Sequence, residues 1–173
     1  AEHDPQTLVE IGLSEIPRDC RLAQGVREVL RWVTECRDWE GCMSSVERWC
    51  AGISPSYRWQ GEDNIPGMNP VHTINNAMVC VLALFYGKMD SVQAPAVAVM
   101  CGLDTDCNGA TTGSIVGAAI GRKALDESLA RRLNDTVRPK MVGFAEVTMR
   151  QLAERTAVQW KRVREYDRQR TSS

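Results

Sequence analysis

The sequence predicts an all-α fold, and two observations carry this prediction. Apolar residues recur three and four positions apart along most of the chain, which is the spacing of one face of an α-helix. No stretch alternates apolar and polar residues with the period of a β-strand. The chain has 173 residues, a length typical of one domain, so we expect a single compact multi-helix domain over residues 1–173.

Signals for helix starts and stops mark three helices near the N-terminus. Asp4 precedes Pro5, which places a capping side chain before a proline at the first helical position. This helix is expected to end before Pro17, because the residue preceding a proline disfavours helical backbone. Asp19 and Asp38 are expected to cap the second and third helices.

The middle and the end of the chain alternate helical patterns with loops. Residues 51–70 are rich in glycine and proline and predict a long loop. The helix that follows this loop is apolar nearly all round, so we expect it at the centre of the fold. The remaining segments are predicted as helices over 71–86, 92–100, 109–125, 126–133 and 144–167, with a loop over 101–108.

Charge and cysteine usage exclude several classes of partner. The net charge is −1, which offers no basic field to nucleic acid or to an anionic membrane. The longest apolar run, residues 77–86, is about half of what a membrane-spanning helix needs. Seven cysteines occur without a Cys-x-x-Cys pair, which argues against a zinc site and favours a reduced, cytoplasmic protein.

Two carboxylates in the predicted loop carry the chemistry. Asp104 and Asp106 are separated by one residue, and in an extended loop such side chains point the same way. Two adjacent anions repel each other unless a cation bridges them, and a hard divalent ion with oxygen ligands suits that position. The alternative is that Asp106 caps the next helix while Asp104 faces water.

The predicted helix after these aspartates has a glycine at every fourth position, at 109, 113, 117 and 121. Glycine costs about 1 kcal/mol relative to alanine inside a helix, so this face implies a close approach by another surface. That surface is either a second helix or a flat ligand. In the second case Gly109 and Gly113 would contact the ligand.

The chain resembles the ADP-ribosylglycohydrolase family in two runs of sequence. One is Asp-Thr-Asp-Cys-Asn-Gly-Ala-Thr over residues 104–111, and the other is His-Thr-Ile-Asn-Asn-Ala over residues 72–77. The order of the helices around them matches as well, so the resemblance covers essentially the whole chain. It implies an all-α fold with two Mg²⁺ ions, held by an early Thr-Asp-Asp cluster and a late Asp-x-Asp-Thr or Asp-x-Asp-Ser motif.

By this resemblance, Asp104 and Asp106 are the catalytic metal ligands, and Cys107 stands where relatives present a hydroxyl ligand. A neutral thiol is a poor donor for magnesium. Asn108 and Thr111 are candidates either to support the aspartates or to cap the helix. The early Thr-Asp-Asp cluster is absent from residues 1–100, so we expect this chain to be the C-terminal half of the fold, with the N-terminal half on a separate polypeptide.

Four further residues are expected near the substrate. His72 and Asn76 lie one helical turn apart and share a face, from which they would contact ribose hydroxyls or a phosphate; a structural role for His72 is the alternative. Tyr57 and Trp59 in the glycine-rich loop are candidates for stacking on adenine, or else form an apolar plug beneath the loop.

The resemblance implies a hydrolase that cleaves the glycosidic bond of an ADP-ribosyl group. Two alternatives stay open. One is an enzyme acting on another ribosyl N-glycoside, such as a nucleoside. The other is a non-catalytic member, since relatives of this fold serve as lens crystallins; the two intact aspartates argue against it.

Overall fold

The computed structural model describes residues 3–53 and 69–171. It divides the chain into two compact units, Ala1–Leu125 and Asp126–Ser173. The described part contains eight α-helices and one two-stranded sheet, so the all-α prediction is confirmed. A single domain over residues 1–173 stays a prediction.

The described part of the first unit contains six α-helices. They are α1 (Pro5–Ser14), α2 (Arg21–Glu35), α3 (Trp39–Ile53), α4 (Thr73–Tyr86), α5 (Gln93–Met100) and α6 (Thr105–Ile120), and a 3-10 turn, Arg122–Ala124, follows α6. The second unit contains α7 (Glu127–Arg132), β1 (Thr136–Val137), β2 (Val147–Thr148) and α8 (Met149–Thr171). Within the described residues, no helix is both long and apolar enough to span a membrane.

Two of the three predicted N-terminal caps are confirmed. The Asp4 carboxylate accepts from the Thr7 backbone N–H at 2.8 Å, and the Asp38 carboxylate accepts from the Gly41 N–H at 2.9 Å. The prediction of Asp19 as the cap of α2 is wrong. The helix begins one residue later, and the Cys20 sulfur accepts from its first turn instead.

The apolar helix α4 lies at the centre of the first unit, as its sequence predicts. It packs against α1, α2, α3, α5 and α6. One core cluster joins Met78 and Leu82 of α4 to Val29 and Val46 of α2 and α3, and a second joins Leu84 to residues of α1, α2 and α6. Because α4 is enclosed on nearly every side, each polar group on it needs a partner within the protein.

The turn from α4 into α5 depends on a glycine. A Cβ at position 87 would overlap the Cα of Ala94 and lie 2.5 Å from its nitrogen and 2.7 Å from the carbonyl oxygen of Ala83. These are backbone atoms, which cannot move aside as a side chain does. Gly87 therefore sets how closely α5 approaches the end of α4.

The second unit departs from the sequence prediction at its hairpin. No strand was predicted, yet Thr136 pairs with Thr148 and Val137 pairs with Val147 in an antiparallel ladder. The β-branched residues at these four positions suit a strand, but two residues per strand are too few to show a period. The predicted helix over 144–167 is therefore wrong at its start, since α8 begins at Met149 after the pairing ends.

We expect Gly87→Ala to lower the free energy of unfolding by roughly 1–3 kcal/mol, because the added methyl group overpacks a backbone contact. Gly12→Ala is the matched control. Gly12 lies within α1, and a Cβ there has no neighbour within 4 Å among the described residues, so this variant should be up to about 1 kcal/mol more stable. Urea denaturation measures both. Equal stability of the two variants would contradict the close approach.

Candidate metal centre

The two aspartates lie at the start of α6 and not in a loop. Asp104 is the N-cap, and the Asn108 backbone N–H donates to the Asp104 carbonyl oxygen at 2.8 Å, which closes the first helical turn. The prediction that residues 101–108 form a loop is therefore wrong for its second half. The Asp104 carboxylate makes no capping hydrogen bond to the helix, so capping does not occupy it.

The first turn of α6 brings three potential ligand atoms together. The carboxylate oxygens of Asp104 and Asp106 and the sulfur of Cys107 all lie within 4.8 Å of one another. Asp104 is half-buried, whereas Asp106 and Cys107 are exposed. Among residues 3–53 and 69–171, no other group of three or more histidine, cysteine and acidic side chains converges in this way.

The charges in this cluster affect how its members titrate. A hydrogen bond with the Asp104 carboxyl holds the pKa of Asp106 below its usual value, and the backbone N–H of Cys107 acts in the same direction. A hydrogen bond to Asp104 raises the pKa of the Cys107 thiol, and the negative charges of both aspartates raise it further. Cys107 is therefore a neutral thiol at neutral pH, beside an ionised Asp106.

The donor set fits a hard divalent cation in part. Two carboxylates supply the oxygen ligands and negative charge that Mg²⁺ prefers. The positive end of the α6 dipole offsets part of that charge. A protonated sulfur adds little for such an ion, so the fit to magnesium rests on the two aspartates.

A pair of asparagines, the half-buried Asn76 and the buried Asn108, connects this turn to α4. The Asn76 side-chain oxygen accepts from the Asn108 side-chain nitrogen at 2.8 Å and from the Asp104 backbone N–H at 3.4 Å. The Asn76 nitrogen donates to the carbonyl oxygen of Pro70 at 2.8 Å. Beyond it, the Cys80 thiol donates to the Asn108 side-chain oxygen at 3.8 Å. Asn76 thus contacts the acidic turn directly. The sequence did not predict this contact.

His72 is the N-cap of α4. Its Nδ1 accepts from the Ile74 backbone N–H at 3.2 Å, which is the structural role that the sequence left open. A ligand-binding role for His72 stays a prediction. Tyr57 and Trp59 lie outside the described residues.

The first two glycines of the predicted glycine face, Gly109 and Gly113, lie against α5. A Cβ at position 109 would lie 3.1 Å from Cγ2 of Val99, and one at position 113 would lie 3.5 Å from Cγ of Pro95. A second helix therefore accounts for the close approach at these two glycines. A Cβ at Gly117 or Gly121 would have no neighbour within 4 Å among the described residues, so the prediction of a close approach is wrong at these two positions. Whether Gly109 and Gly113 also contact a ligand stays a prediction.

Part of the signal for the asparagine pair was visible in the sequence. Asn76 and Cys80 lie four residues apart on α4, and Asn108 lies four residues after Asp104 on α6. Side chains at this spacing share one helix face. Polar residues on a helix that is otherwise apolar need internal partners, so the sequence indicates that Asn76 has a partner within the protein but not which helix supplies it.

The comparison with protein families agrees with this geometry. The family model for ADP-ribosylglycohydrolase matches residues 1–164. The chain belongs to the ADP-ribosylglycohydrolase family. Neither a curated protein sequence nor a solved structure shows a significant match to it.

Membership gives the cluster a chemical context. The chain is a hydrolase of the ADP-ribosylglycohydrolase type, and this family is metal-dependent in general. The acidic turn at the start of α6 is therefore the candidate metal centre of this hydrolase. The resemblance noted in the sequence is confirmed, as is the all-α fold it implied.

We expect Gly113→Ala and Gly113→Leu to change stability in opposite directions. A methyl group meets Pro95 at ordinary contact distance, so Gly113→Ala should gain up to about 1 kcal/mol of helix propensity. A leucine side chain overpacks the interface between α5 and α6, so Gly113→Leu should lose roughly 1–3 kcal/mol. Urea denaturation of both variants gives the comparison. A leucine variant as stable as the alanine variant would mean that α5 does not cover this face.

Proposed function

We propose that this chain supplies the carboxylates that hold Mg²⁺ in a hydrolase cleaving the glycosidic bond of an ADP-ribosyl group. One observation carries the proposal. Asp104, Asp106 and Cys107 present their ligand atoms within 4.8 Å of one another, in a member of a family whose activity is metal-dependent.

The proposed role of each residue follows from its donor chemistry. Asp104 and Asp106 bind the metal through carboxylate oxygens. Asp104 is the N-cap, with non-helical backbone, and its carboxylate lies within 4.8 Å of that of Asp106. When bound, the metal supplies Lewis acidity at the ribosyl group and holds its hydroxyls and a water in place. The half-buried Asp104 is the better shielded of the two ligands, so its charge is screened least by solvent.

These donors do not complete the coordination of magnesium. Mg²⁺ takes six ligands in an octahedron and keeps several waters when only one or two carboxylates bind it. The remaining places are left for water, for substrate hydroxyls and for carboxylates from outside the α6 turn. A second Mg²⁺, an N-terminal half on a separate polypeptide and a cytoplasmic location stay predictions.

Substrate contacts are proposed on the side of α6 where the aspartates are exposed. His72, Asn76, Gly109 and Gly113 stay candidates for these contacts. Tyr57 and Trp59 stay candidates from the sequence alone, since they lie outside the described residues. Asn76 is the weakest of them as a direct contact, because both ends of its amide already hold protein partners.

Asp104→Asn tests the metal assignment. Removing one charge from the donor set should weaken Mg²⁺ binding by at least about tenfold, because the number of charged ligands sets the affinity of such sites. Isothermal titration calorimetry measures the dissociation constant, and release of ADP-ribose from an ADP-ribosylated protein measures the activity. Both should fall, while the melting temperature stays close to that of the unmodified chain.

Asp4→Asn is the matched control for this experiment. Asp4 is also an N-cap aspartate, and asparagine caps helices about as well as aspartate does. This variant should keep the Mg²⁺ affinity of the unmodified chain. Unchanged affinity in Asp104→Asn, or an equal loss in Asp4→Asn, would show that the ligand assignment is wrong.

The same assays separate the alternatives. Turnover of nucleosides without release of ADP-ribose would favour the alternative, an enzyme that acts on another ribosyl N-glycoside. Absence of both Mg²⁺ binding and turnover in the chain assembled with its expected N-terminal half would favour a non-catalytic member of the fold.

Cys107→Thr should keep activity and tighten Mg²⁺ binding. A hydroxyl oxygen is a harder donor than a neutral thiol, and magnesium prefers the harder donor. Cys107→Ala removes the donor altogether and serves as the control, with an affinity close to that of the unmodified chain. Calorimetry of the three proteins ranks them. Loss of turnover in the threonine variant with Mg²⁺ still bound would point to a role for the thiol itself.

A further inference from the structure

We propose that Asn76 and Asn108 are positioning residues, which hold the first turn of α6 in the conformation where its ligand atoms converge. The inference rests on the proposed function, which assigns metal binding to this turn. The contacts that carry it belong to the asparagines themselves and not to the acidic cluster.

The two side chains form a hydrogen-bonded chain with one direction. The Pro70 carbonyl oxygen can only accept, so Asn76 must present its nitrogen to Pro70 and its oxygen to α6. That oxygen accepts from the Asn108 nitrogen, so the Asn108 oxygen faces the Cys80 sulfur at 3.8 Å. The Cys80 thiol is at the same distance from the Asn108 backbone carbonyl oxygen, so it has two acceptors on this residue. Each amide therefore has one orientation that satisfies all its neighbours, and neither can flip without placing like groups against each other.

Burial makes this pairing costly to break. Asn108 is 2% exposed, and Cys80 is 7% exposed. Burial also raises the pKa of the Cys80 thiol, so it stays a proton donor. A buried amide that loses its partner bears the full cost of desolvation, which favours the single arrangement of α4 and α6 in which the pair meets.

The asparagine pair contacts the backbone of the proposed metal ligand Asp104. The Asn76 oxygen also accepts from the Asp104 N–H at 3.4 Å, and the Asn108 N–H donates to the Asp104 carbonyl at 2.8 Å. The first of these bonds comes from the Asn76 side chain. The second is the ordinary backbone hydrogen bond of the helix and does not depend on the residue type at position 108, so the pair acts on Asp104 through the Asn76 oxygen. Replacing a residue that orients a metal ligand by a hydrogen bond typically weakens metal binding by about 10–100-fold.

Asn108→Leu tests the proposal, since leucine keeps nearly the same size and removes the amide. Asn75→Leu is the matched control. Asn75 is fully buried on α4 as well, and its side chain donates to the Asn69 carbonyl at 2.7 Å and not to the acidic turn. Both variants should lose stability, and only Asn108→Leu should weaken Mg²⁺ binding, by about 10–100-fold.

Two further readouts separate positioning from general damage. Amide hydrogen exchange at Asp104 and at position 108 should accelerate in Asn108→Leu and not in Asn75→Leu, with or without metal. The double variant Asn76→Leu/Asn108→Leu should bind Mg²⁺ no more weakly than the single variants, because residues acting as one unit are not additive.

The outcomes distinguish this inference from the proposed function. Equal loss of Mg²⁺ affinity in Asn75→Leu and Asn108→Leu, or unchanged exchange at Asp104 in Asn108→Leu, would overturn the positioning role even if the unmodified chain binds Mg²⁺. An unmodified chain that binds no Mg²⁺, with exchange altered as expected, would overturn the metal assignment and leave the positioning of the turn intact.

Discussion

The enclosure of α4 is the constraint on which the rest of the first unit depends. Five helices pack around it, and its residues Met78, Val79, Leu82 and Ala83 are fully buried. A helix in this position removes a large apolar area from water, which is the main favourable contribution to folding. It also reduces solvent access to the fully buried Asn75 and the half-buried Asn76, whose side chains find partners within the protein.

The acidic turn is a consequence of that constraint. Asn76 is a polar side chain on the central helix, and it finds its partners on the Asp104 backbone and the Asn108 side chain at the start of α6. The same contact that satisfies α4 therefore places two aspartates at a helix N-terminus. There the partial positive charge of the helix dipole offsets part of the repulsion between the carboxylates. The core and the candidate metal centre are joined through one amide pair.

Much of the fold could be read from the sequence because its signals are local or periodic. The Asp4 and Asp38 caps and the apolar helix α4 depend on residues close in sequence, and the structure bears them out. The start of α6 was placed too late, because Asp104 is a good loop residue as well as a good cap. The hairpin of the second unit escaped prediction, since a pairing of two residues leaves no period to detect.

The candidate site was predictable in composition but not in geometry. Asp104, Asp106 and Cys107 were named from their spacing and family resemblance, whereas the contact between Asn76 and Asn108 joins residues 32 positions apart. Nothing local in a sequence specifies which faces of two distant helices meet. The glycines of α6 illustrate the same limit. Their spacing predicted a close approach at four positions, whereas within the described residues only Gly109 has an unusually close neighbour, Val99 of α5.

Anomalous scattering from crystals soaked in Mn²⁺, which serves as a probe for Mg²⁺, tests the central claim most directly. The account predicts an anomalous peak at the N-terminus of α6, within about 2.0–2.6 Å of carboxylate oxygens from both Asp104 and Asp106. A bound manganese ion elsewhere in the protein, with no peak between these two carboxylates, would contradict it.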